Sequence, residues 1–424
     1  MKDRRPFDTP PLWREPQFRS FWAAQTISQL GDQVTLLALP LIAVTALHAS
    51  ANQVAWLTAI AWTPNLFAFI VGTLIDQTHH QQRLMVAADV ARAAALLSLP
   101  TALVWGSVTL VQLYVVALVT GAAEVLFNTA YPSFFAHLVP RSSYLDANAK
   151  LSASRSASYM AGPAIGGALV QLMTASVAVV VDAVSFLVSA VLVGKISINQ
   201  PPPPRAGESR DPLRRRATEG LTFVRRDPIL RASLGCATTI NFFTFFAGSG
   251  LMVLFASREL SLTPGVIGLA FGIGAAGALL GAVLAPKLSR AIGLGRSVVV
   301  GATLYPAPIA IAAFASGPMW LRAVTLGSAE FLSGVGVMLF DVNLNSLKTA
   351  VIPEGMRSRV AGAFSTINYG VRPLGAILGG LFATLIGLRG TLLIAAAGGT
   401  LAALWLFPSP IPGVRSLDGE ELTR

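Results

Sequence analysis

Apolar stretches of about 20 residues or more follow one another along most of the chain, separated by short polar gaps. They cover roughly 21–46, 53–75, 84–105, 109–132, 153–173, 175–194, 229–256, 264–288, 297–316, 319–342, 360–386 and 390–407. A helix rises about 1.5 Å per residue, so about 20 apolar residues cross a bilayer core. The pattern therefore predicts an all-α integral membrane protein with twelve transmembrane helices. Glycine and proline recur inside these stretches, which membrane helices tolerate because neighbouring helices re-satisfy freed backbone groups and small residues permit close packing. Ala190, near the end of the sixth stretch, is expected to face lipid.

One polar segment is long, 195–228, and it divides the chain into a segment 1–20, a first bundle 21–194, a linker 195–228, a second bundle 229–407 and a tail 408–424. The linker opens on Pro201–Pro204, a stiff extended run. Asp211-Pro212 then reads as an N-cap and first helical turn. Leu213, Ala217, Leu221 and Val224 fall on one face, with Arg214–Arg216, Arg225 and Arg226 around them, as in a helix lying on a membrane surface or a solvated linker helix. Asp227-Pro228 repeats the capping pattern at the start of the seventh stretch.

The two bundles echo each other. Gly121-Ala-Ala-Glu124 returns as Gly327-Ser-Ala-Glu330, and Val139-Pro140 as Ile352-Pro353. Gly162-Pro163 with Gly166-Gly167 returns as Arg372-Pro373 with Gly375, and Asp32 corresponds to Asn241. Four correspondences in order, at offsets of 206 to 213, predict a duplicated six-helix unit and two pseudo-symmetric bundles. Duplicated bundles of this kind mark secondary transporters, whose substrate sites lie near the bilayer midplane between the repeats.

Composition agrees with a lipid environment: 54% of residues are hydrophobic and 12% charged, about half the charge of an ordinary soluble domain. The net charge of +11 does not point to nucleic acid, because the basic residues lie in the gaps without interleaved aromatics. With the N-terminus inside, the inner side collects 26 of 31 Lys and Arg; Arg258, Arg322 and Arg389 fall outside, and Arg92 and Arg372 lie within spans. Positive residues accumulate on the cytoplasmic side, so both termini are expected there. The single cysteine, Cys236, cannot form an internal disulfide and reads as packing material.

Ionisable groups inside membrane spans cost roughly 2.5–3.5 kcal/mol each on insertion scales and so are functional candidates. Gln25, Ser28, Gln29, Asp32 and Thr35 make a polar stripe along the first span at helical spacing. Asp32 is the leading candidate for proton or substrate binding, with Gln29 beside it. Arg92 and Glu124 lie at equal depth in the third and fourth spans, and an ion pair between them is expected. Glu330, Arg372 and Asn241 hold the corresponding places in the second half. Asp182 and Asp341 read as structural. Trp56, Trp62, Phe67, Phe127 and Tyr131 are candidates to line a cavity for a planar ligand. Gly162, Gly166 and Gly167 let helices touch, and Pro163 interrupts a helical hydrogen bond.

Three stretches resemble the major facilitator superfamily, over about residues 17–407, and within it the bacterial drug and siderophore exporters that include macrolide-efflux and enterobactin-export proteins. Gly72 to Asp76, with Arg83 and Asp89 to Arg92, is similar to the family's gating motif. Gln77 stands where that motif usually has arginine, and His79, His80 and Gln81 replace much of its basic cluster. Gly162-Pro163 with Gly166-Gly167 is similar to the antiporter motif. Asp182-Ala-Val-Ser185-Phe186 and Glu219-Gly220 through Asp227-Pro228 look like this branch. The resemblance implies the major facilitator fold, gating by Gly72, Asp76, Arg83 and Asp89, and secondary export of small amphipathic or apolar molecules by proton antiport from a bacterial inner membrane, with the protein acting as a monomer.

Enzyme signals are thin. No HExxH, GxSxG or P-loop pattern occurs, and His48, His79, His80 and His137 lack ligand spacing. No metal or cofactor is expected, and without a nucleotide site transport would draw on a gradient. An importer or facilitator without proton coupling is the alternative. A membrane enzyme would need a convergent set of His or carboxylates at one depth, and a receptor a sizeable domain outside the membrane.

Overall fold

The computed structural model describes residues 12–75, 80–106, 108–197, 213–353 and 356–416. Fifteen α-helices follow one another, with no strand among the described residues. The first half holds α1 (Pro16–Thr45), α2 (Ala51–Trp62), α3 (Ala68–Ile75), α4 (Gln81–Val104), α5 (Leu110–Leu138), α6 (Tyr144–Leu172) and α7 (Ala175–Gly194). The linker contributes α8 (Leu213–Arg226). The second half holds α9 (Pro228–Ala247), α10 (Ser249–Arg258), α11 (Pro264–Ile292), α12 (Leu294–Leu304), α13 (Ile309–Ala313), α14 (Met319–Val351) and α15 (Arg357–Leu401).

Nine helical stretches among the described residues are individually long and apolar enough to cross a membrane. Twelve crossings result for three local reasons. Pro64 lacks an amide donor, and the second crossing passes through a 3₁₀ segment, Thr63–Phe67, between α2 and α3. The fifth crossing, α6, carries Asp146, Lys150 and Arg155 along its first half. The last two crossings run together in α15, which turns back at Gly387, where φ is 80°. A side chain there would be strained, so glycine makes the fold-back possible. The seventh crossing likewise breaks between α9 and α10 at Gly248, φ 55°.

Helix starts follow the local chemistry. Ser50 and Gln53 form a reciprocal capping box before α2. Asp227 accepts from the Leu230 amide at 2.8 Å, with Pro228 in the first turn of α9. The other capping pair, Asp211-Pro212, and the run Pro201–Pro204 lie outside the described residues. The helix expected in the linker is present as α8 and docks on the start of α15. Glu219 pairs with Arg359, and Val224 packs with Leu230, Val360 and Phe364. The described part of the tail lies along the start of α12, where the Gly295 amide donates to the Val414 carbonyl at 2.9 Å.

The apolar cores reveal how the halves meet. Leu12, the start of α4, α8 and the tail share one side of the molecule, here the terminal side. There the clusters are separate: one built from Phe18, Phe21, Met85, Phe134 and neighbours of the first half, another from Ile229, Cys236, Leu294, Phe340 and neighbours of the second. On the opposite side the clusters are shared. Leu251, Leu254 and Ala383 insert into the first-half core, and Leu37 and Leu41 into that of the second.

Ala190 is buried, at 5% exposure, rather than facing lipid; α7 turns it inward together with Ser189 and Val193, whereas Val191 is 54% exposed. Ala190→Leu is therefore expected to destabilise the protein by about 1–3 kcal/mol, the usual cost of overpacking, and Val191→Leu to be nearly silent. Thermal unfolding of the purified variants checks this; equal midpoints would contradict it.

Candidate functional site

Contacts between the halves concentrate on the side opposite the termini. Gln171 at the end of α6 accepts from the Gly265 amide at 2.9 Å and the Thr263 hydroxyl at 3.1 Å at the start of α11. Arg258 of α10 donates to the Ala49 carbonyl at 2.8 Å. A Cβ placed on Gly167 would lie 3.0 Å from the Gly268 Cα and 2.5 Å from the Pro264 carbonyl oxygen, so the α6 and α11 backbones touch. Arg389 braces the second half there, donating to Glu259 at 2.9 Å and to the Ala313 carbonyl at 2.7 Å. With the halves joined on this side and their cores apart on the other, a cleft opens toward the terminal side.

Polar groups at mid-depth line that cleft. Asp32 of α1 lies 3.7 Å from Arg92 of α4; the Asp32 side chain is 45% exposed and that of Arg92 only 5%. The expected Arg92–Glu124 pair is absent. α4 instead directs Arg92 between α1 and α7, with its guanidinium 4.9 Å from the centre of the Phe186 ring and 5.8 Å from that of Phe127. Glu124 of α5 is exposed and has no ion pair among the described residues, although Asp32, Arg155 and Arg372 all lie within electrostatic reach of it. Gln29 donates to Gln25 at 3.3 Å along the α1 stripe.

The second half faces this wall with Arg372, 15 residues into α15, or about 22 Å along the helix at 1.5 Å per residue and near the middle of the crossing. Its Nε donates to Asn241 Oδ1 at 2.9 Å. Its guanidinium carbon lies 4.2 Å from the centre of the Tyr369 ring, 4.3 Å from Trp62 and 4.8 Å from Phe245. Trp62 belongs to the first half, so this box spans the interface. Glu330 is half-buried where α14 packs against Gly274 of α11.

Asp182 is fully buried, accepts from Ser185 at 3.0 Å and sits against Gly31 of α1. It joins α7 to α1, away from the cleft. Asp341, by contrast, is exposed on α14 in a stripe with Asn345 and Lys348. Among the gating residues, Asp89 is fully buried and accepts from Ser189 at 2.7 Å. Gly72 packs near Thr129 of α5, and Arg83 is exposed. Asp76, with Gln77 and His79, lies outside the described residues. Gly162 packs against Gln33 and Gly166 against Val34, both on α1, whereas Gly167 and the Pro163 carbonyl meet Gly268. The pattern of glycines thus serves two contacts, one within a half and one between halves.

Sequence reading missed Arg155 and Tyr159, exposed on α6 with the guanidinium 5.6 Å from the ring centre. Their i, i+4 spacing was the available signal. It missed Phe245 and Tyr369 as well, because single aromatics in apolar helices carry no signal. Of the aromatics singled out, Trp62 and Phe127 contact the two arginines. Tyr131 stacks on Phe135, and Trp56 and Phe67 are exposed.

Two six-helix halves around a central polar cleft define a secondary transporter fold, and the sequence profile of the Major Facilitator Superfamily matches residues 21–376 and 234–423. The chain belongs to the major facilitator superfamily; it is a multi-pass membrane transporter, not an enzyme. It is 26% identical to the uncharacterized MFS-type transporter YfiS of Bacillus subtilis, over 89% of each chain. It is 25% identical to the multidrug efflux pump Tap of Mycobacterium tuberculosis, covering 96% of this chain and 95% of that one. Among solved structures, a D323A mutant of the nucleoside transporter NupG superposes with a TM-score of 0.74 at 11% identity, covering 92% of this chain and 99% of that one.

Proposed function

We propose that this protein exports small amphipathic or apolar molecules across a bacterial inner membrane by alternating access and proton antiport. The observation that carries this reading is Asp32, half-exposed on the wall of a cleft open to one side and held beside a buried arginine. A carboxylate in that position can exchange a proton with the cleft, and its pairing with Arg92 couples that proton to the position of α1 relative to α4. Full-length similarity to a protein named as a multidrug efflux pump supports the direction of transport. The excess of positive residues on the terminal side supports a cytoplasmic location for it and for the mouth of the cleft, and a single chain supplies both walls.

Cells making the protein, loaded with the neutral dye Nile red, are expected to lose it faster than cells without it. Collapse of the proton gradient is expected to remove the difference. Faster loss that survives the collapse would replace antiport with facilitated passage. Orientation has its own check: a reporter active only in the cytoplasm, fused after Arg424, is expected to give signal, and activity there of a periplasm-dependent reporter would invert the topology.

A further inference from the structure

We propose that Arg372 and its aromatic box form a recognition site for a planar anionic group, a carboxylate carried on a flat or aromatic body, and that the transported substrates include such acids. This rests on the transporter reading above and narrows its substrate class.

A guanidinium in the middle of a membrane span needs compensation. Arg372 receives it incompletely. Nε donates to Asn241, and three rings contact the guanidinium. No carboxylate among the described residues comes within ion-pair distance of it; Glu124 and Asp341 act on it only through longer electrostatic reach. The Nη groups, which form the fork that matches a carboxylate, make no hydrogen bond among the described residues. Arg372 is half-buried, so part of its surface is open to a ligand.

Rigidity distinguishes this arginine from a mobile surface charge. Asn241 is itself held, since its Nδ2 donates to the Ala237 carbonyl at 3.1 Å. That bond orients Oδ1 toward Arg372 Nε, and the rings restrict rotation of the guanidinium. A donor fixed before binding loses little freedom when an anion arrives. The rings also favour an anion over a cation. A cationic guest would have to displace the guanidinium that already occupies the box, leaving two like charges in one site. A carboxylate completes the charge pair without moving it, and its aromatic body can lie against Trp62, Tyr369 or Phe245. Because Trp62 belongs to the other half, a ligand held here touches both halves, as a transported substrate must.

The test is binding to the purified full-length protein without any gradient, followed by calorimetry with three matched probes: 1-naphthoate, 1-naphthamide and 1-naphthylmethylammonium. Naphthoate is expected to bind at least about tenfold more tightly than the amide, a difference of about 1.4 kcal/mol, with the ammonium weakest. Arg372→Gln is expected to abolish the preference for naphthoate over the amide. Arg372→Lys, which keeps the charge but loses the planar fork, is expected to retain only part of it. Equal binding of acid and amide, tighter binding of the ammonium, or no binding of naphthoate by the wild-type protein would each overturn the proposal, and none depends on a variant folding. Export that fails while naphthoate selectivity persists would count against the exporter reading alone; export of Nile red without that selectivity would count against this site alone.

Discussion

Asp32→Asn is expected to reduce gradient-driven efflux to background while the protein still inserts and folds. Removing a carboxylate from a buried pair usually leaves the partner charge uncompensated, at a cost of about 3–5 kcal/mol. Here the damage is smaller for two reasons. Asp32 is half-exposed and 3.7 Å from Arg92, too long for a direct hydrogen bond. Arg92 also keeps Asp89 and Asp182 within electrostatic reach and the faces of Phe127 and Phe186 at contact distance. Asparagine matches the shape of aspartate and cannot carry the proton. The variant therefore separates coupling from folding, with yield and thermal midpoint near wild type and proton-driven loss of Nile red gone. Wild-type efflux with unchanged pH dependence in Asp32→Asn would remove this residue from the mechanism and leave Glu124, exposed in the same cleft, as the carboxylate to examine.

The second large effect is expected at Gly167. Its hydrogen is all that separates the α6 backbone from Pro264 and Gly268 of α11, and this contact helps hold the halves together opposite the termini. Gly167→Val forces atoms into that space at a cost of about 1–3 kcal/mol. The penalty applies only while the halves are closed on that side, so it acts on the conformational equilibrium rather than on each half's fold. States of a transport cycle differ by a few kcal/mol, and about 1.4 kcal/mol already changes their ratio tenfold. The variant is expected to populate the form open on the far side and to lose export. Leu254→Cys reports on this, because Leu254 is 1% exposed and lies in the shared core. A membrane-impermeant maleimide added outside is expected to label it faster when Gly167→Val is present. Native Cys236 is buried in a second-half cluster and gives a silent background. Unchanged labelling and normal efflux would show that this contact does not govern the cycle. Gly166→Leu differs: its new side chain would meet Val34 within the same half, so instability dominates there.

Much of the architecture was legible in the sequence because a bilayer enforces simple rules. Apolar length identifies crossings, the Asp227-Pro228 pair starts α9, and the repeated Gly-x-x-Glu and glycine–proline patterns expose the duplication. Even the fold-back inside α15 fell in the predicted gap, since the chain there combines Gly387 with the charged Arg389. The cost of ionisable groups in hydrocarbon singled out Asp32, Arg92 and Arg372 as candidates, and the repeat singled out Asn241.

Partners were not legible, because a helix sequence states depth and periodicity but not the rotation of one helix against another. Arg92 and Glu124 share a depth, yet the rotation of α4 gives Arg92 to Asp32. Ala190 and Val191 are adjacent and similarly apolar, and only the packing of α7 decides which is buried. Gly166 and Gly167 differ by about 100° around a helix, which sends one to α1 within its own half and the other to α11 across the interface. The aromatic box around Arg372 joins residues up to 310 positions apart, and its rings are ordinary apolar side chains until the second crossing meets the eleventh. Local free energies along the chain therefore determined the number, place and duplication of the helices, whereas the side-chain pairs that line the cleft were decided by packing between them.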